Sequence, residues 1–233
     1  METRKQILPL KTVEEVLGWS PSEPAFRYPG SCSRSQYYLP GQDTDLSWGS
    51  LLTAPLSVSR SRVKTVVCHD MMGGYLQDRF LDGGEEDGYH FRHWSNIDIF
   101  IYFSHHLLTI PPVGWITAAR VHGVQVLGTL ITEWDRGQEM LESVLRDDDK
   151  MDRFVDVCTR LCLHYGFHGW LLNIENKVEK ELVPQLIKFT KNMTMSIKQH
   201  LGEDTGVVLW YDSVTVQVEE DKNTEAIIFK DRI

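Results

Sequence analysis

The sequence predicts an α/β protein made of strand–helix repeats, either a (β/α) barrel or a doubly wound parallel sheet. Five short runs are rich in apolar and β-branched residues, and they are nearly continuous rather than alternating. Runs of this kind are typical of strands buried on both faces. Helical patterns separate the later runs, and neither GxGxxG nor GxxxxGK[ST] occurs, so a nucleotide-binding sheet has no support.

The predicted strands and helices alternate from residue 63 onward. The strands occupy residues 63–72, 97–104, 124–132, 169–175 and 207–212. A short crossover helix is predicted over 112–121. Apolar residues at three- and four-residue spacing predict a helix over 151–165, which ends at Gly166, and another over 183–201, with Pro184 near its start and Gly202 after its end.

Composition and charge exclude several classes of protein. Hydrophobic residues make up 42% of the 233 residues, enough to bury a core, so the chain as a whole is not disordered. The net charge of −9 argues against a nucleic-acid partner. No apolar run reaches the length of a membrane span, and the first residues lack the apolar stretch of a secretory signal. We therefore expect a cytosolic protein with no membrane partner.

The cysteines and paired histidines leave a metal site conceivable but disfavoured. Cys158 and Cys162 are four residues apart, with His164 and His168 nearby, whereas structural zinc sites use tighter, turn-based spacings. We expect reduced, half-buried thiols and no metal. The adjacent His105 and His106 fit packing or a hydrogen bond to a ligand better than a metal site.

All five predicted strands end in polar, aromatic or ionisable residues, and Asn173 and Glu175 are the most informative. Because side chains alternate along a strand, this pair shares one face, which in a barrel is the axial one. Glu175 could act as a general acid, since an enclosed mouth raises the pKa of a carboxyl group. This strand has no second carboxylate that could act as a nucleophile. Retaining glycosidases that lack such a group use the 2-acetamido oxygen of their own substrate to attack the anomeric carbon, and Asn173 could orient that acetamide. The alternative is that Asn173 only caps or turns the chain and that Glu175 is a solvated acid in a loop.

Several longer motifs in the same order carry a resemblance to a known family: CHDMMGGYLQDRF, FRHWSNIDIFIYFSHH, TIPPVGWITAARVHGVQVLGTLITEW, FHGWLLNIEN and VLWYDS. Together with TVEEVLGWSP near the start, they resemble the cytosolic endo-β-N-acetylglucosaminidases of glycoside hydrolase family 85. The resemblance implies a (β/α)8 TIM barrel. It also implies cleavage of the β-1,4 bond in the N,N′-diacetylchitobiose core of N-glycans, on glycoproteins, glycopeptides or free oligosaccharides, with no metal or organic cofactor.

The same resemblance assigns roles to individual residues. Asn173 positions the acetamide, Glu175 is the general acid/base, and Tyr211 assists at the acetamido group of the reacting sugar. Glycan-lining positions are implied at the strand ends His69, Glu133 and Trp134, and Trp115 is a further candidate. For both tryptophans, stacking on a sugar and bracing a loop are equal alternatives.

The resemblance stops after residue 213, and it predicts how the chain is divided. Residues 1–61 are expected to be a lead-in that is irregular from 22 to 61, residues 62–213 a partial catalytic barrel, and residues 214–233 a divergent charged tail. Only about five of eight β/α units are present, so we expect a C-terminally truncated form of the enzyme. The alternatives are an inactive form that binds a glycan or a protein partner, and a small doubly wound enzyme complete in itself.

Overall fold

The computed structural model describes residues 5–21, 64–81 and 89–211, and the backbone of residues 219–220 and 227–228. Segment 22–61, which is predicted to be irregular, therefore lies outside the described residues. The same holds for Cys32, Asp212, Ser213 and the predicted tail apart from those four backbone positions. The predicted domain boundaries also fall there, so the three-part division of the chain stays a prediction.

The main sheet has six strands, and its five parallel strands confirm the five predicted ones. The strands are β1 (Val66–Asp70), β2 (Ile99–Phe103), the two-residue β3 (Leu108–Thr109), β4 (Gln125–Thr132), β5 (Gly169–Ile174) and β6 (Val207–Trp210). The parallel order is β1-β2-β4-β5-β6, and β3 pairs antiparallel with β4. The order follows the chain without reversal. A doubly wound sheet reverses at a switch point, so this arrangement is of the barrel type.

Five α-helices lie in the described part of the chain. They are α1 (Val13–Leu17), α2 (Val113–Val121), α3 (Trp134–Leu145), α4 (Asp148–Tyr165) and α5 (Val183–Leu201). The three predicted helices, α2, α4 and α5, are confirmed. Helix α4 begins three residues before its predicted start because the Asp147 carboxylate accepts a hydrogen bond from the Lys150 N–H and caps it. None of these helices is both long and apolar enough to cross a membrane.

Helix α3 and strand β3 are among the elements that were not predicted. Helix α3 follows β4 directly and begins with Trp134, and its first turn contains Gly137. A Cβ at Gly137 would lie 2.8 Å from the backbone of Thr132, so glycine is what allows the helix to start against the end of its own strand. The residue that weakens the helical pattern in the sequence is therefore required by the packing.

The sheet has two apolar faces of different character. The helix-facing side, which includes Phe100, Trp170 and Leu172, joins the large core with α2, α4 and α5. The beginning of the chain also packs on this core through Ile7 and two residues of α1. The other side carries a smaller cluster that we call the inner face: Ile99, Ile101, Leu127 and Leu171, with Phe103, Val207 and Leu209 against it.

The tail contributes no strand to the main sheet within its described residues. Strands β7 (Glu219–Glu220) and β8 (Ile227–Ile228) pair antiparallel with each other in a separate two-stranded sheet. Strands β1 and β6 are therefore the edges of the main sheet as described.

The close packing of β4 predicts that Gly128→Ala destabilises the protein. The added Cβ would lie 2.5 Å from the Thr109 carbonyl oxygen and 2.6 Å from the Trp170 ring, so we expect a loss of about 1–3 kcal/mol in the free energy of unfolding. Urea denaturation followed by tryptophan fluorescence measures it. Gly73→Ala is the control, since its Cβ would meet no atom within 4 Å and should cost at most about 0.5 kcal/mol. Equal losses in the two variants would contradict the packing described.

Candidate active site

Asn173 and Glu175 lie together at the carboxyl end of β5. Asn173 belongs to the same face as Leu171 of the inner cluster, and its Nδ2 donates a hydrogen bond of 3.2 Å to Glu175 Oε1. The shared face that alternation predicts is therefore confirmed. Asn173 is fully buried, whereas Glu175 is exposed. A buried amide thus fixes the orientation of an exposed carboxylate.

The register of the sheet brings two more predicted residues to this pair. Ile131 of β4 pairs with Asn173, so Glu133, two residues further on, points to the same side of the sheet. Leu172 pairs with Trp210 of β6, and the Tyr211 N–H donates to the Leu172 carbonyl at 2.9 Å. Tyr211 follows Leu209 on the inner face and is 56% exposed. Three adjacent strands therefore present these side chains along one edge.

Trp134 stands beside Glu133 as the first residue of α3. Its φ of 57° is in the left-handed region, which is uncommon for a residue with a large side chain, and 83% of its surface is exposed. A side chain so exposed does not brace a loop of the described structure. Strain of this kind often accompanies a functional position, and the ring is free to stack on a ligand.

His105, just after β2, lies between two carboxylates on the same edge. Its Nδ1 is 3.3 Å from Glu133 Oε2, and its Nε2 is 3.6 Å from Asp70 Oδ2 at the end of β1. Partial burial lowers the pKa of His105, but the hydrogen bond to Glu133 and the charges of both carboxylates outweigh this and raise the pKa above its usual value. The imidazole therefore links β1 to β4 across the edge of the sheet.

His69 and Trp115 are not brought to the Asn173–Glu175 pair. His69 pairs with Tyr102 of β2, a core residue on the helix-facing side, so its ring also points toward the helices. Trp115 is nearly buried on α2, stacks on Phe100 at 5.1 Å, and donates its Nε1–H to Asp78 Oδ2 at 3.0 Å. Its contacts are those of a brace. The alternation of side chains along β1 explains this: His69 faces the helices, and Asp70, the next residue, faces the inner side.

Asp70 and its link to His105 are the part of the site that sequence reasoning missed. The sequence marks the strand end His69-Asp70, but the resemblance selects the histidine. The side chain of Val67 packs on the helix-facing core. Side chains alternate along a strand, so His69 also faces the helices and Asp70 faces the inner side, where the site lies. The contact of His105 with Glu133 joins residues 28 positions apart and left no signal in the sequence.

The candidate metal ligands do not form a site within the described residues. Cys158 and Cys162 are fully buried in α4 as free thiols, and burial raises the pKa of both. They pack against β5, where Trp170 Nε1 donates to the Cys158 carbonyl at 3.2 Å. No group of three or more His, Cys, Asp or Glu side chains in the described ranges is placed to hold a metal ion.

The edge as a whole can support acid–base chemistry on a neutral, polar ligand. It presents an oriented carboxylate, a second carboxylate held by an imidazole, a phenol and an exposed indole. Such a set can donate and accept protons, hydrogen-bond hydroxyl groups, and stack on a sugar ring. It lies at the carboxyl ends of parallel strands, where barrel enzymes place their active sites.

Comparison with solved structures supports the barrel-type fold. The chain is similar to the glycoside hydrolase domain of Endo-D from Streptococcus pneumoniae R6, with a TM-score of 0.57 and 18% sequence identity. The match covers 91% of this chain and 32% of that one.

Comparison of sequences identifies the family. The profile of glycosyl hydrolase family 85 matches residues 75–225, which is more than half of the chain. The cytosolic endo-beta-N-acetylglucosaminidase of Mus musculus is 40% identical over 228 residues, covering 95% of this chain and 28% of that protein. Cytosolic endo-beta-N-acetylglucosaminidase 2 of Arabidopsis thaliana is 42% identical over 158 residues, covering 67% of this chain and 22% of that protein. The chain belongs to glycosyl hydrolase family 85, and it spans less than a third of the length of these relatives.

The contact between His105 and Glu133 predicts a pH-dependent coupling. Glu133→Gln removes the nearer negative charge, so the pKa of His105 should fall, as measured by NMR titration of its ring protons. Because the folded-state pKa is raised, the contribution of this contact to stability is present below about pH 6.5 and is lost as pH rises through the raised value. His164 of α4 is the internal reference, since its pKa is lowered by burial and not by His105 or Glu133. An unchanged His105 titration would show that the contact does not persist in solution.

Proposed function

We propose that this chain carries the catalytic residues of an endo-β-N-acetylglucosaminidase that acts on the N,N′-diacetylchitobiose core of N-glycans. The observation that supports the proposal most directly is the 3.2 Å hydrogen bond from Asn173 to Glu175 at the carboxyl end of β5. Family membership supplies the class of reaction. The substrates would be glycoproteins, glycopeptides or free oligosaccharides, and no cofactor is required.

The reaction we propose is retaining and uses the substrate's own acetamide. Glu175 donates its proton to the glycosidic oxygen as the C1–O bond breaks, and the acetamido oxygen forms a bond to C1 on the opposite face. The resulting oxazolinium ion, which keeps the acetamide N–H proton, is opened by a water molecule that loses a proton to Glu175. The carboxyl group then has its proton back, and C1 has been inverted twice.

Asn173 is suited to hold Glu175 and to meet the acetamide. Its Nδ2 is occupied by Glu175, while its Oδ1 is buried with no hydrogen-bond partner in the described structure. An acetamide N–H could be accepted by this oxygen, and the acetamido carbonyl would then be turned toward C1. Since Asn173 has no exposed surface, the groups above it must shift when the sugar binds.

The remaining edge residues would bind the sugar. Tyr211, on the strand next to Asn173, would place its hydroxyl near the acetamido group. Glu133, held by His105, would accept hydrogen bonds from sugar hydroxyls, and Trp134 would stack on a ring. The relatives are named as cytosolic enzymes, and we propose the cytosol for this chain also.

One observation favours a second candidate, which is glycan binding without cleavage. The sequence predicts that Glu175 lies in an enclosed mouth, but in the structure it is exposed. An exposed carboxylate can accept hydrogen bonds from sugar hydroxyl groups, which is sufficient for binding. A chain that binds N-glycans at this edge but releases no product would support the second candidate.

Glu175→Gln tests the assignment of the acid and base. The amide keeps the shape of the side chain but cannot exchange a proton, so hydrolysis of a high-mannose glycopeptide should fall by about 10²–10⁴-fold. Mass spectrometry of the products measures the rate. Glu133→Gln is the matched control, and it should weaken substrate binding while leaving most of the turnover rate. A greater loss of turnover in the control would assign the acid to Glu133.

The attacking group is tested by the substrate rather than by the protein. A glycopeptide with a hydroxyl group in place of the 2-acetamido group at the scissile sugar should not be cleaved, since the nucleophile is missing. A stable thiazoline analogue of the oxazoline should inhibit cleavage of the natural substrate. Cleavage of the hydroxyl substrate at a comparable rate would require a nucleophile from the protein, and Glu133 would be the first candidate.

A further inference from the structure

His105 contacts two carboxylates that come from different strands. Its Nδ1 lies 3.3 Å from Glu133 Oε2, at the end of β4, and its Nε2 lies 3.6 Å from Asp70 Oδ2, at the end of β1. In a neutral imidazole one nitrogen carries no hydrogen, and its lone pair would be repelled by the carboxylate that it faces. An imidazolium presents an N–H to both carboxylates. The arrangement therefore favours the charged form of His105.

Glu133 is the most buried of these three side chains. Only 21% of its side chain is exposed, compared with 49% for His105 and 56% for Asp70. A carboxylate that has lost most of its water is stabilised by a hydrogen bond from a charged donor. The His105 ring provides this donor at Oε2, and no described residue forms a hydrogen bond with Oε1. The contact therefore fixes the carboxylate and leaves one oxygen for a ligand.

Asp70 and His105 are both bonded to the loop that follows β1. The Met72 N–H donates to Asp70 Oδ1 at 2.6 Å, and the Met72 carbonyl accepts a hydrogen bond of 3.4 Å from the His105 backbone N–H. Met72 has a φ of 56°, in the left-handed region, which is a strained conformation for a residue with a side chain. Strain of this kind persists where the surrounding contacts fix it. One strained residue thus sets the spacing between Asp70 and His105.

The charged groups that face the His105 ring are acidic. Partial burial lowers the pKa of His105, but Glu133 from the end of β4 and Asp70 from the end of β1 outweigh this and raise it. The neighbouring titratable group on the same loop is His106, whose pKa is lowered by burial and by the charge of Lys11. His106 is therefore protonated less readily than His105. It adds little positive charge that would oppose the imidazolium of His105.

We infer that His105 is a positioning residue of the proposed active site, and that as an imidazolium it holds Glu133 in the orientation that accepts a sugar hydroxyl group. Asp70 fixes the ring from the other side. The inference rests on the proposed function, in which Glu133 binds the substrate. His105 acts through Glu133 rather than on the scissile bond, so its charge sets the affinity for the substrate and not the rate of cleavage. Because the pKa of His105 is raised, affinity is highest below about pH 6.5 and falls as pH rises through the raised value.

Calorimetric titration of the full 233-residue chain carrying Glu175→Gln with a high-mannose glycopeptide, between about pH 5.5 and 8.5, tests the inference. The amide at position 175 blocks hydrolysis and removes the titration of that carboxyl group. The affinity of this parent should fall by about fivefold from the low to the high end of the range. Adding His105→Gln should make the affinity independent of pH, since its amide donates to Glu133 without a charge to lose. Adding His105→Ala should weaken binding by about fivefold at low pH and also abolish the pH dependence.

Two further variants of the same parent serve as controls. His200→Gln removes a histidine from the last turn of α5, where its ring bonds to the Ser196 carbonyl at 2.8 Å, and it should change neither the affinity nor its pH dependence. In a chain that also carries Glu133→Gln, His105→Ala should have no additional effect, because the group that it positions is already altered. A pH dependence that persists in His105→Gln would overturn the inference.

Steady-state kinetics with Glu175 intact separate this inference from the proposed function. His105→Ala should raise KM and leave kcat within about twofold, a split that loss of folded protein would not produce. Cleavage with a KM that His105→Ala leaves unchanged would overturn the inference and leave the proposed function standing. Binding that depends on pH through His105, in a chain that never cleaves the glycopeptide, would support the inference and oppose the proposed function. A Glu175→Gln parent that binds no glycopeptide at any pH would overturn the inference.

Discussion

The parallel pairing of β5 between β4 and β6 is the constraint on which the rest of the described site depends. Ile131 lies beside Asn173, and Trp210 lies beside Leu172, so the strand ends come level at one edge. Residues that are paired across adjacent strands point to the same side of the sheet. The orientation of Asn173 therefore also sets the orientation of its paired neighbours on β4 and β6. A slip of a single residue would turn Asn173 toward the helices and remove its hydrogen bond to Glu175.

The same constraint divides the polar residues of the sheet between two regions. Asp70, Glu133 and Glu175 are on the inner side, where His105 bridges the first two and reduces their mutual repulsion. His69 is adjacent to Asp70 in sequence, but its ring contacts Trp115 of α2 on the helix-facing side. Neighbouring residues of one motif therefore serve different surfaces. His69 and Asp70 belong to one sequence motif of the family, but their side chains lie on opposite sides of β1.

Much of the fold could be predicted because it depends on local patterns. Continuous apolar runs mark strands that are buried on both faces, and Gly166 ends α4 in a left-handed conformation, as its position indicated. Helix α3 was not predicted because Gly137 weakens the helical pattern. Glycine is required there by the close contact with the backbone of Thr132, which the sequence does not reveal. The face shared by Asn173 and Glu175 was predictable, since it requires only the period of a strand. The burial of one and exposure of the other was not.

What the sequence determined by itself is therefore local: strand and helix positions, the alternation that pairs Asn173 with Glu175, and the family to which the chain belongs. Tertiary structure decided the strand order, the approach of His105 to Asp70 and Glu133, and the packing of His69 against Trp115 on the helix-facing side. The physical reason is distance along the chain. A pattern within a few residues fixes backbone conformation, but contacts between separate strands exist only once the sheet has set their register.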